Sequence, residues 1–320
     1  MIITPFGEVK LGAFREVLAP PGRYLNDHCL IRHEGIWHFF GIAGRQGGMC
    51  DEPDCEISFA HATSSDLVSW QIHPDVLAAT GTGPDASHVF APHVVQEGGT
   101  FFLFYTGIDA RQRQRICLAT SADLFQWTRF AGNPVVVPSA YWALWPGINQ
   151  PETDVGNCRD NHILRLDDGR FVMYWAARMN ARTGPGRGCV AASVSDDLWH
   201  WQEVGPVFSM RDWAEHPTHM TESPCVVKKD GQYWLFFKHG WWTYVVSAPT
   251  PWDFEFQTPV RVGFAHAAEV FEEEGRWIIT HCSADPADYP YRVSNRTRGF
   301  FLGELDWPAG GFPRLVGSAS

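Results

Sequence analysis

"RYLNDHCLIRHEGIWHFF", residues 23–40, runs through an apolar stretch, turns at a Glu-Gly pair and returns through Trp, His, Phe and Phe. Apolar runs on both sides of a short glycine-containing turn predict a buried β-hairpin. The same hairpin, with Gly-x-aromatic at its turn, occurs five times: "GIW" (35–37), "GTF" (99–101), "GRF" (169–171), "GQY" (231–233) and "GRW" (275–277). This recurrence is the strongest indication of the fold.

The spacing of the repeat predicts the architecture. The turn aromatics are 64, 70, 62 and 44 residues apart, and most of these intervals can hold four short strands with their loops. Four-stranded sheets repeated around an axis form a β-propeller, which leaves few sheet edges exposed. We therefore predict an all-β fold: a five-bladed β-propeller of four-stranded antiparallel blades around a central pocket, as a single domain over residues 1–320. The short last interval predicts a fifth blade with trimmed loops or with an outer strand taken from the N-terminus.

A second repeat, Ser-x-Asp-Leu-x-x-Trp, occurs at residues 64–70, 121–127 and 195–201. Ser and Asp side chains commonly bond backbone amides one to three residues further along a turn. The motif therefore predicts a turn after a small-residue strand, with the Trp packed where the next strand begins.

The charge balance restricts the partners. With 36 acidic and 25 basic residues the formal net charge is −11, which disfavours nucleic acid because phosphates are held by Lys and Arg. No apolar run is long enough to cross a bilayer, so no membrane partner is predicted. The first residues lack the pattern of a secretory signal, which predicts a cytoplasmic protein whose eight cysteines are reduced thiols. The close pair Cys50 and Cys55 has no further zinc ligands at suitable spacing, so we predict no cofactor.

Three acidic residues stand at similar distances before the turn aromatics. Asp27 is ten residues before its turn aromatic, Trp37. Asp160 is eleven residues before Phe171, and Glu222 is eleven residues before Tyr233. The first strand of each propeller blade lies nearest the axis, so these carboxylates are predicted to meet at one end of the central pocket. Like charges in a partly desolvated pocket raise at least one pKa. Two carboxylates with different pKa values are what glycosidic bond cleavage requires.

Other residues are candidates for sugar binding. In the second and fifth blades the positions equivalent to the acids are Phe90 and His266, while Asn26 and Arg159 directly precede Asp27 and Asp160. Three further candidates are His93, near the mouth of the second blade, and two loop tryptophans able to stack on a sugar ring, Trp142 and Trp145. "HAAE" (266–269) is not a metal signature, because strand alternation sends His266 and Glu269 to opposite faces. We therefore predict no metal site.

The acidic motifs resemble those of glycoside hydrolase family 32/68, the invertases and fructanases. "YLNDHCLI" resembles its Trp-Met-Asn-Asp-Pro-Asn-Gly motif, "CRDNHIL" its Arg-Asp-Pro motif, and "TESPCVV" its Glu-Cys-Pro motif. By this resemblance Asp27 is the nucleophile, Asp160 the transition-state stabiliser and Glu222 the acid/base. Family 32 members usually carry a C-terminal β-sandwich, whereas this sequence stops after its fifth blade, so no sandwich is expected.

The same strands are similar to glycoside hydrolase family 43, the arabinosidases and xylosidases. There the acids act as base, pKa modulator and proton donor in an inverting mechanism, and a histidine corresponding to His266 faces the central channel. "FAPHVV" (90–95) and "AHAAEVFEEEGRWIITH" (265–281) carry this likeness.

The resemblances favour a glycoside hydrolase or transglycosidase that acts on a fructosyl or arabinofuranosyl group of an oligosaccharide or other glycoside. Three alternatives stay open at this point. The first is an inverting arabinofuranosidase or xylosidase, and the second is a propeller that binds carbohydrate without catalysis. The third is a sugar phosphorylase, which needs a basic cluster near the acids.

Overall fold

The computed structural model describes residues 2–4, 7–9, 13–48, 52–145, 157–180, 187–210, 221–240, 242–282 and 299–317. Two short strands near the N-terminus pair with each other, β1 (Ile2–Thr4) and β2 (Gly7–Val9), and β3 (Arg15–Leu18) follows. The remaining described strands form the blades of a ring. In the described ranges no helix is long and apolar enough to span a membrane.

Each of the five repeated hairpins forms the two inner strands of one blade, and the blades follow one another along the chain. Blade 1 contains β4 (Arg23–His33), β5 (Ile36–Arg45), β6 (Ser58–Ser64) and β7 (Gln71–Val76). Blade 2 contains β8 (His88–Glu97), β9 (Thr100–Ile108), β10 (Gln114–Ser121) and β11 (Thr128–Arg129). Blade 3 contains β12 (Cys158–Arg165), β13 (Phe171–Arg178), β14 (Gly188–Ser195) and β15 (Gln202–Ser209).

Blades 4 and 5 complete the ring. Blade 4 contains β16 (Thr221–Lys229), β17 (Gln232–His239), β18 (Trp242–Ala248) and β19 (Val260–Gly263). Blade 5 contains β20 (Val270–Glu273), β21 (Arg276–Cys282), β22 (Phe300–Asp306) and β23 (Arg314–Leu315). The predicted all-β, five-bladed β-propeller with antiparallel blades is confirmed.

The fifth blade takes part of its outer edge from the N-terminal segment. β22 pairs with β23 at its C-terminal end and with β3 at its N-terminal end, both antiparallel. The start of the chain therefore covers an edge that blade 5 would otherwise leave open, as its short repeat interval predicted. Apolar clusters between neighbouring blades, such as the one around Trp175 and Phe104, hold the ring together.

The Ser-x-Asp-Leu-x-x-Trp turns form as predicted. In the first copy Asp66 Oδ1 accepts hydrogen bonds from the backbone amides of Val68 and Ser69, at 2.8 and 2.7 Å. The Leu of each copy has a positive φ, between 62° and 67°, in the sparsely populated left-handed region. Burial of that Leu and the carboxylate bonds offset the strain.

Candidate active site

A polar cavity opens at one end of the propeller axis. All five blades contribute to its lining, which includes Asp27, Asp160, Ser223, Ala267 and Glu269. Its narrow interior offers about 20 Å³ to water-sized molecules, enough for one ordered water. Because its lining extends from Asp27 to Glu269, the cavity continues from its open end into the channel between the innermost strands.

The innermost strands place equivalent residues at the same level around the axis. The third residue after each turn aromatic pairs across its hairpin with one residue of the innermost strand or of the segment just before it. We call these five partners the inner tier: Cys29, His93, His162, Cys225 and Glu269. Two positions earlier in each blade lies the acid tier: Asp27, Ala91, Asp160, Ser223 and Ala267. One position earlier again lies the outer tier: Asn26, Phe90, Arg159, Glu222 and His266.

Irregular backbone aims the acid tier at the cavity. A register shift interrupts the innermost strands of blades 1 to 4 at this level. Four acid-tier residues have positive φ: Ala91 (45°), Asp160 (57°), Ser223 (48°) and Ala267 (50°). Bulges of this kind redirect side chains, and strained backbone is common where a fold presents functional groups.

Glu222 lies one register position away from the other two acids. Sequence counting put Asp27, Asp160 and Glu222 at equivalent positions, but Ser223 is the acid-tier residue of blade 4. The count was wrong because the turn of the blade-3 hairpin is one residue longer than that of the blade-4 hairpin. In blade 3 Phe171 pairs with Arg165, six positions earlier, whereas in blade 4 Tyr233 pairs with Lys228, five positions earlier.

The three acids nonetheless share one hydrogen-bond network. Ser223 joins two of them, because its Oγ donates to Asp27 Oδ1 at 3.1 Å and its backbone N–H donates to Asp160 Oδ2 at 3.2 Å. Arg159 joins the third, with Nη2 donating to Glu222 Oε1 at 2.6 Å and Nε lying 3.3 Å from Asp160 Oδ2. The sequence prediction that these carboxylates meet at one mouth therefore agrees with the structure, although Ser223 was not foreseen.

Lys238, which the sequence analysis missed, contacts the far side of Glu222. Its Nζ donates to Glu222 Oε2 at 2.6 Å, so the carboxylate lies between two cations. Lys238 is the only charge in the aromatic run "YWLFFKH" of β17, and that isolated charge was the available signal.

The environment separates the pKa values of the acids. Burial raises the pKa of Asp27, with smaller contributions from the charges of Glu222 and Glu56, and Lys238 opposes the rise. Burial also raises the pKa of Asp160 well above its usual range, against the effect of Arg159. For Glu222 burial acts upward as well, but Lys238 and Arg159 outweigh it and lower the pKa below its ordinary value. The predicted rise in at least one pKa is present, and it falls on the two aspartates.

Asn26 and His266 meet at the outer tier, on the side of the cavity next to Asp27. His266 Nε2 is 3.1 Å from Asn26 Oδ1 and 3.9 Å from Asp27 Oδ2. Asn26 Nδ2 donates to Glu56 Oε1 at 3.2 Å. Glu56 is 1% exposed and was not predicted, because nothing in "DCEIS" distinguishes it from a surface acid.

Strand alternation does not separate His266 from Glu269. Residues 264–269 precede β20 and are not strand, and Ala267 between them has a positive φ. Glu269 consequently lines the cavity, while His266 lies near Asp27. The prediction of opposite faces was wrong for this reason.

Three predicted sugar contacts lie away from the cavity lining. His93 is in the inner tier, below the mouth, with its ring centroid 4.4 Å from that of His162. Trp145 is buried, donates from Nε1 to the Gln114 carbonyl at 3.2 Å and packs under Arg115. Phe90 packs in part against the core between blades 1 and 2.

Two remaining sequence predictions concern buried groups outside the cavity. Trp142 packs against Trp175, with ring centroids 5.7 Å apart. The seven described cysteines are buried free thiols, whereas Cys50 lies outside the described residues.

Sequence comparison identifies the family. Residues 18–278 match the model of the glycosyl hydrolases family 32 N-terminal domain. A probable sucrose-6-phosphate hydrolase of Psychromonas ingrahamii is 31% identical over 207 residues, which are 62% of this chain and 34% of that protein. Raffinose invertase of Escherichia coli is 28% identical over 69% of this chain and 42% of its own length. The chain thus spans less than half the length of these relatives.

Solved structures share the fold. A thermostable family-43 glycoside hydrolase has a TM-score of 0.68 at 16% identity, covering 94% of this chain and 96% of its own. A Bombyx mori family-32 β-fructofuranosidase has a TM-score of 0.67 at 19% identity, covering 91% of this chain and 62% of its own. Because the family model matches most of the chain, this protein belongs to glycosyl hydrolases family 32.

Proposed function

We propose that the protein cleaves or transfers a fructofuranosyl group of a sucrose-like oligosaccharide or other glycoside. The observation that carries the proposal is the network through Ser223 and Arg159, which brings three carboxylates from separate blades to one mouth. The relatives named for sucrose-6-phosphate hydrolysis and raffinose inversion support a fructosyl rather than an arabinofuranosyl group.

The roles follow from the chemistry of a retaining glycosidase. The Asp27 carboxylate forms an ester bond to the anomeric carbon while the glycosidic bond breaks, and Glu222 gives its proton to the leaving oxygen. Water or a second sugar then attacks the same carbon, gives its proton to Glu222, and releases Asp27 as carboxylate. Asp160 accepts hydrogen bonds from ring hydroxyls, which strengthen as positive charge develops in the ring.

The substrate-free pocket shifts the two pKa values in opposite directions. Lys238 and Arg159 lower the pKa of Glu222, whereas burial raises the pKa of Asp27. Nucleophilic attack needs Asp27 ionised and Glu222 protonated, so both pKa shifts oppose this state. A bound sugar that draws Lys238 or Arg159 away from the Glu222 oxygens raises the pKa of Glu222, and the protonated carboxyl can then donate to the glycosidic oxygen.

The experiment is a substrate screen with product analysis. We expect the wild type to release fructose from sucrose or a fructo-oligosaccharide, with NMR showing retained configuration in the first-formed product. Glu222→Gln is expected to abolish this turnover and to leave the circular dichroism spectrum unchanged, with Glu203→Gln on the outer strand of blade 3 as the control.

The possible outcomes separate the alternatives. An inverted product contradicts the covalent mechanism, and full activity of Glu222→Gln contradicts the assignment of Glu222. Sugar binding without turnover of any glycoside points instead to a carbohydrate-binding propeller.

A further inference from the structure

Every blade places a side chain of metal-ligand type at the inner tier. These residues are Cys29, His93, His162, Cys225 and Glu269, and all of them lie directly beneath the acid tier. The other strand positions nearby are mostly apolar. Burying polar or charged side chains costs free energy unless they have partners, whereas apolar side chains would fill the same space without that cost. An inner tier composed only of Cys, His and Glu therefore calls for a reason.

Three members of the tier converge on one point. The ligand atoms of His93, His162 and Glu269 all lie within 4.8 Å of one another. His93 Nδ1 is 3.6 Å from Glu269 Oε1, and His162 Nδ1 is 3.8 Å from Glu269 Oε2. These separations are too long for hydrogen bonds. They are close to the ~3.4 Å between neighbouring ligand atoms around a tetrahedral Zn²⁺.

The outer hydrogen bond of His162 turns its Nδ1 toward this point. His162 Nε2 is 3.1 Å from the Val226 carbonyl, so Nε2 carries a proton and donates it there. Among the described residues neither buried Nδ1 has a hydrogen bond within normal range. When Nε2 carries the proton of a neutral His162, its Nδ1 presents a lone pair toward Glu269, which is the orientation of a metal-binding imidazole.

We propose that His93, His162 and Glu269 bind one divalent transition-metal ion of the Zn²⁺ class at the inner tier. Imidazole ligands select such ions over Mg²⁺ and Ca²⁺, which prefer all-oxygen sites. The Cys225 thiol is 4.0 Å from Glu269 Oε2 and adds a soft group beside the site. The ion ties blades 2, 3 and 5 together across the axis, below the acids and separate from them.

Positioning contacts hold the carboxylate that the three ligands share. The Glu269 backbone N–H donates to Thr280 Oγ1 at 2.9 Å, and its carbonyl accepts from the Thr280 N–H at 2.8 Å. Thr280 Oγ1 is also 2.6 Å from His28 Nε2. Because Glu269 lines the cavity, the cavity gives an ion a route to the site.

Metal uptake by the intact protein tests the proposal. Protein stripped with a chelator is titrated with Zn²⁺ in a calorimeter and with Co²⁺ in a visible spectrometer. We expect one equivalent to bind, with Co²⁺ giving the absorption of a low-coordinate site, and the melting temperature to rise. His162→Gln and Glu269→Gln are each expected to weaken binding by more than about 100-fold.

Two control variants make the result specific. His61→Gln removes a histidine that is equally buried but lies in blade 1 beside His38, and it should leave uptake unchanged. Within the described part of the chain a second group could hold an ion, Glu52 with Asp54 and Cys55, but Arg45 already neutralises Glu52, so Glu52→Gln should also have no effect. Absence of stoichiometric uptake by wild-type protein overturns the proposal. Unchanged uptake by a folded His162→Gln or Glu269→Gln variant overturns it as well.

Discussion

Aspartates in two regions of this propeller have pKa values shifted in opposite directions. At the mouth, Asp160 is buried and Asp27 is partly buried, both near other carboxylates, and loss of solvent raises the pKa of both. In the turns between outer strands, Asp66 Oδ1 accepts two backbone N–H bonds and Asp197 Oδ1 accepts two at 2.8 Å. The amides of Ser69 and Val68 lower the pKa of Asp66 to about 2.

The difference shows where the fold gains and loses stability. A carboxylate with a lowered pKa stabilises the folded state when ionised, so the turns contribute stability above pH 4. A carboxylate with a raised pKa destabilises the folded state when ionised, so the mouth lowers stability at neutral pH. The turn aspartates build the scaffold, and the mouth aspartates are retained at a cost that a function must justify.

The largest expected effect comes from Asp27→Asn. Loss of the proposed nucleophile should lower kcat by at least ~10³-fold. Loss of a charge that the buried site disfavours should leave the melting temperature at pH 7 unchanged or higher. Kinetics on the best substrate and a thermal scan measure both quantities. A clear fall in the melting temperature with activity intact would mean that Asp27 stabilises the fold and is not needed for turnover.

Lys238→Met should move the pH profile of kcat/KM. Lys238 lowers the pKa of both Asp27 and Glu222, so its removal raises both and shifts the whole bell to higher pH, by about 1–3 units. Lys228→Met, on an exposed part of blade 4, is the control. A profile that stays in place in Lys238→Met argues against Glu222 and Asp27 as the titrating pair.

Ser223→Ala should have a moderate effect. It removes the hydroxyl bond to Asp27 but keeps the backbone bond to Asp160. A hydrogen bond to a charged group contributes about 1.5–3 kcal/mol, so kcat is expected to fall by roughly 10- to 100-fold with little change in KM. Because the bond lowers the pKa of Asp27, the limb of the kcat/KM profile that Asp27 sets should also move to higher pH. Ser209→Ala, a buried serine of blade 3, should change neither quantity.

Asp197→Ala has the smallest expected effect and no effect on activity. Burial acts to raise the pKa of Asp197, but bonds from His200 and Trp199 outweigh it and lower the pKa to about 2. Loss of these bonds at a half-exposed carboxylate should cost about 1 kcal/mol of unfolding free energy at neutral pH. The cost should shrink as pH falls from about 4 toward 2, where the wild-type carboxylate becomes protonated. Denaturant unfolding at several pH values measures this, with the neighbouring Asp196→Ala as the control.

The fold was predictable because its unit is local. Each hairpin is fixed by a two-strand pattern around a Gly-x-aromatic turn, and counting five of them gave the blades without knowledge of long-range contacts. The short interval before Trp277 predicted either trimmed loops or an outer strand from the N-terminus, and β3 pairs with β22 beside the blade's own outer strand β23.

Only those site residues could be predicted whose positions follow from counting along one innermost strand. Asp27 and Asp160 were found from their distance to the turn, but the register of Glu222 depends on the length of one hairpin and on bulges. Lys238 and Glu56 come from other strands and loops, so no count along the innermost strands could find them. Glu269 was missed because its segment was treated as regular strand, whereas its backbone departs from strand geometry at Ala267.

Identification of the residue that becomes covalently attached to the sugar tests whether Asp27 is the nucleophile. Glu222→Gln protein is mixed with a fructosyl donor that has a good leaving group, quenched in acid, digested and analysed by mass spectrometry. An ester-linked hexosyl group on Asp27, in the peptide that contains "YLNDHCLI", is the predicted result. A hexosyl group on any other residue, or turnover of the donor with inversion and no adduct, would contradict the account.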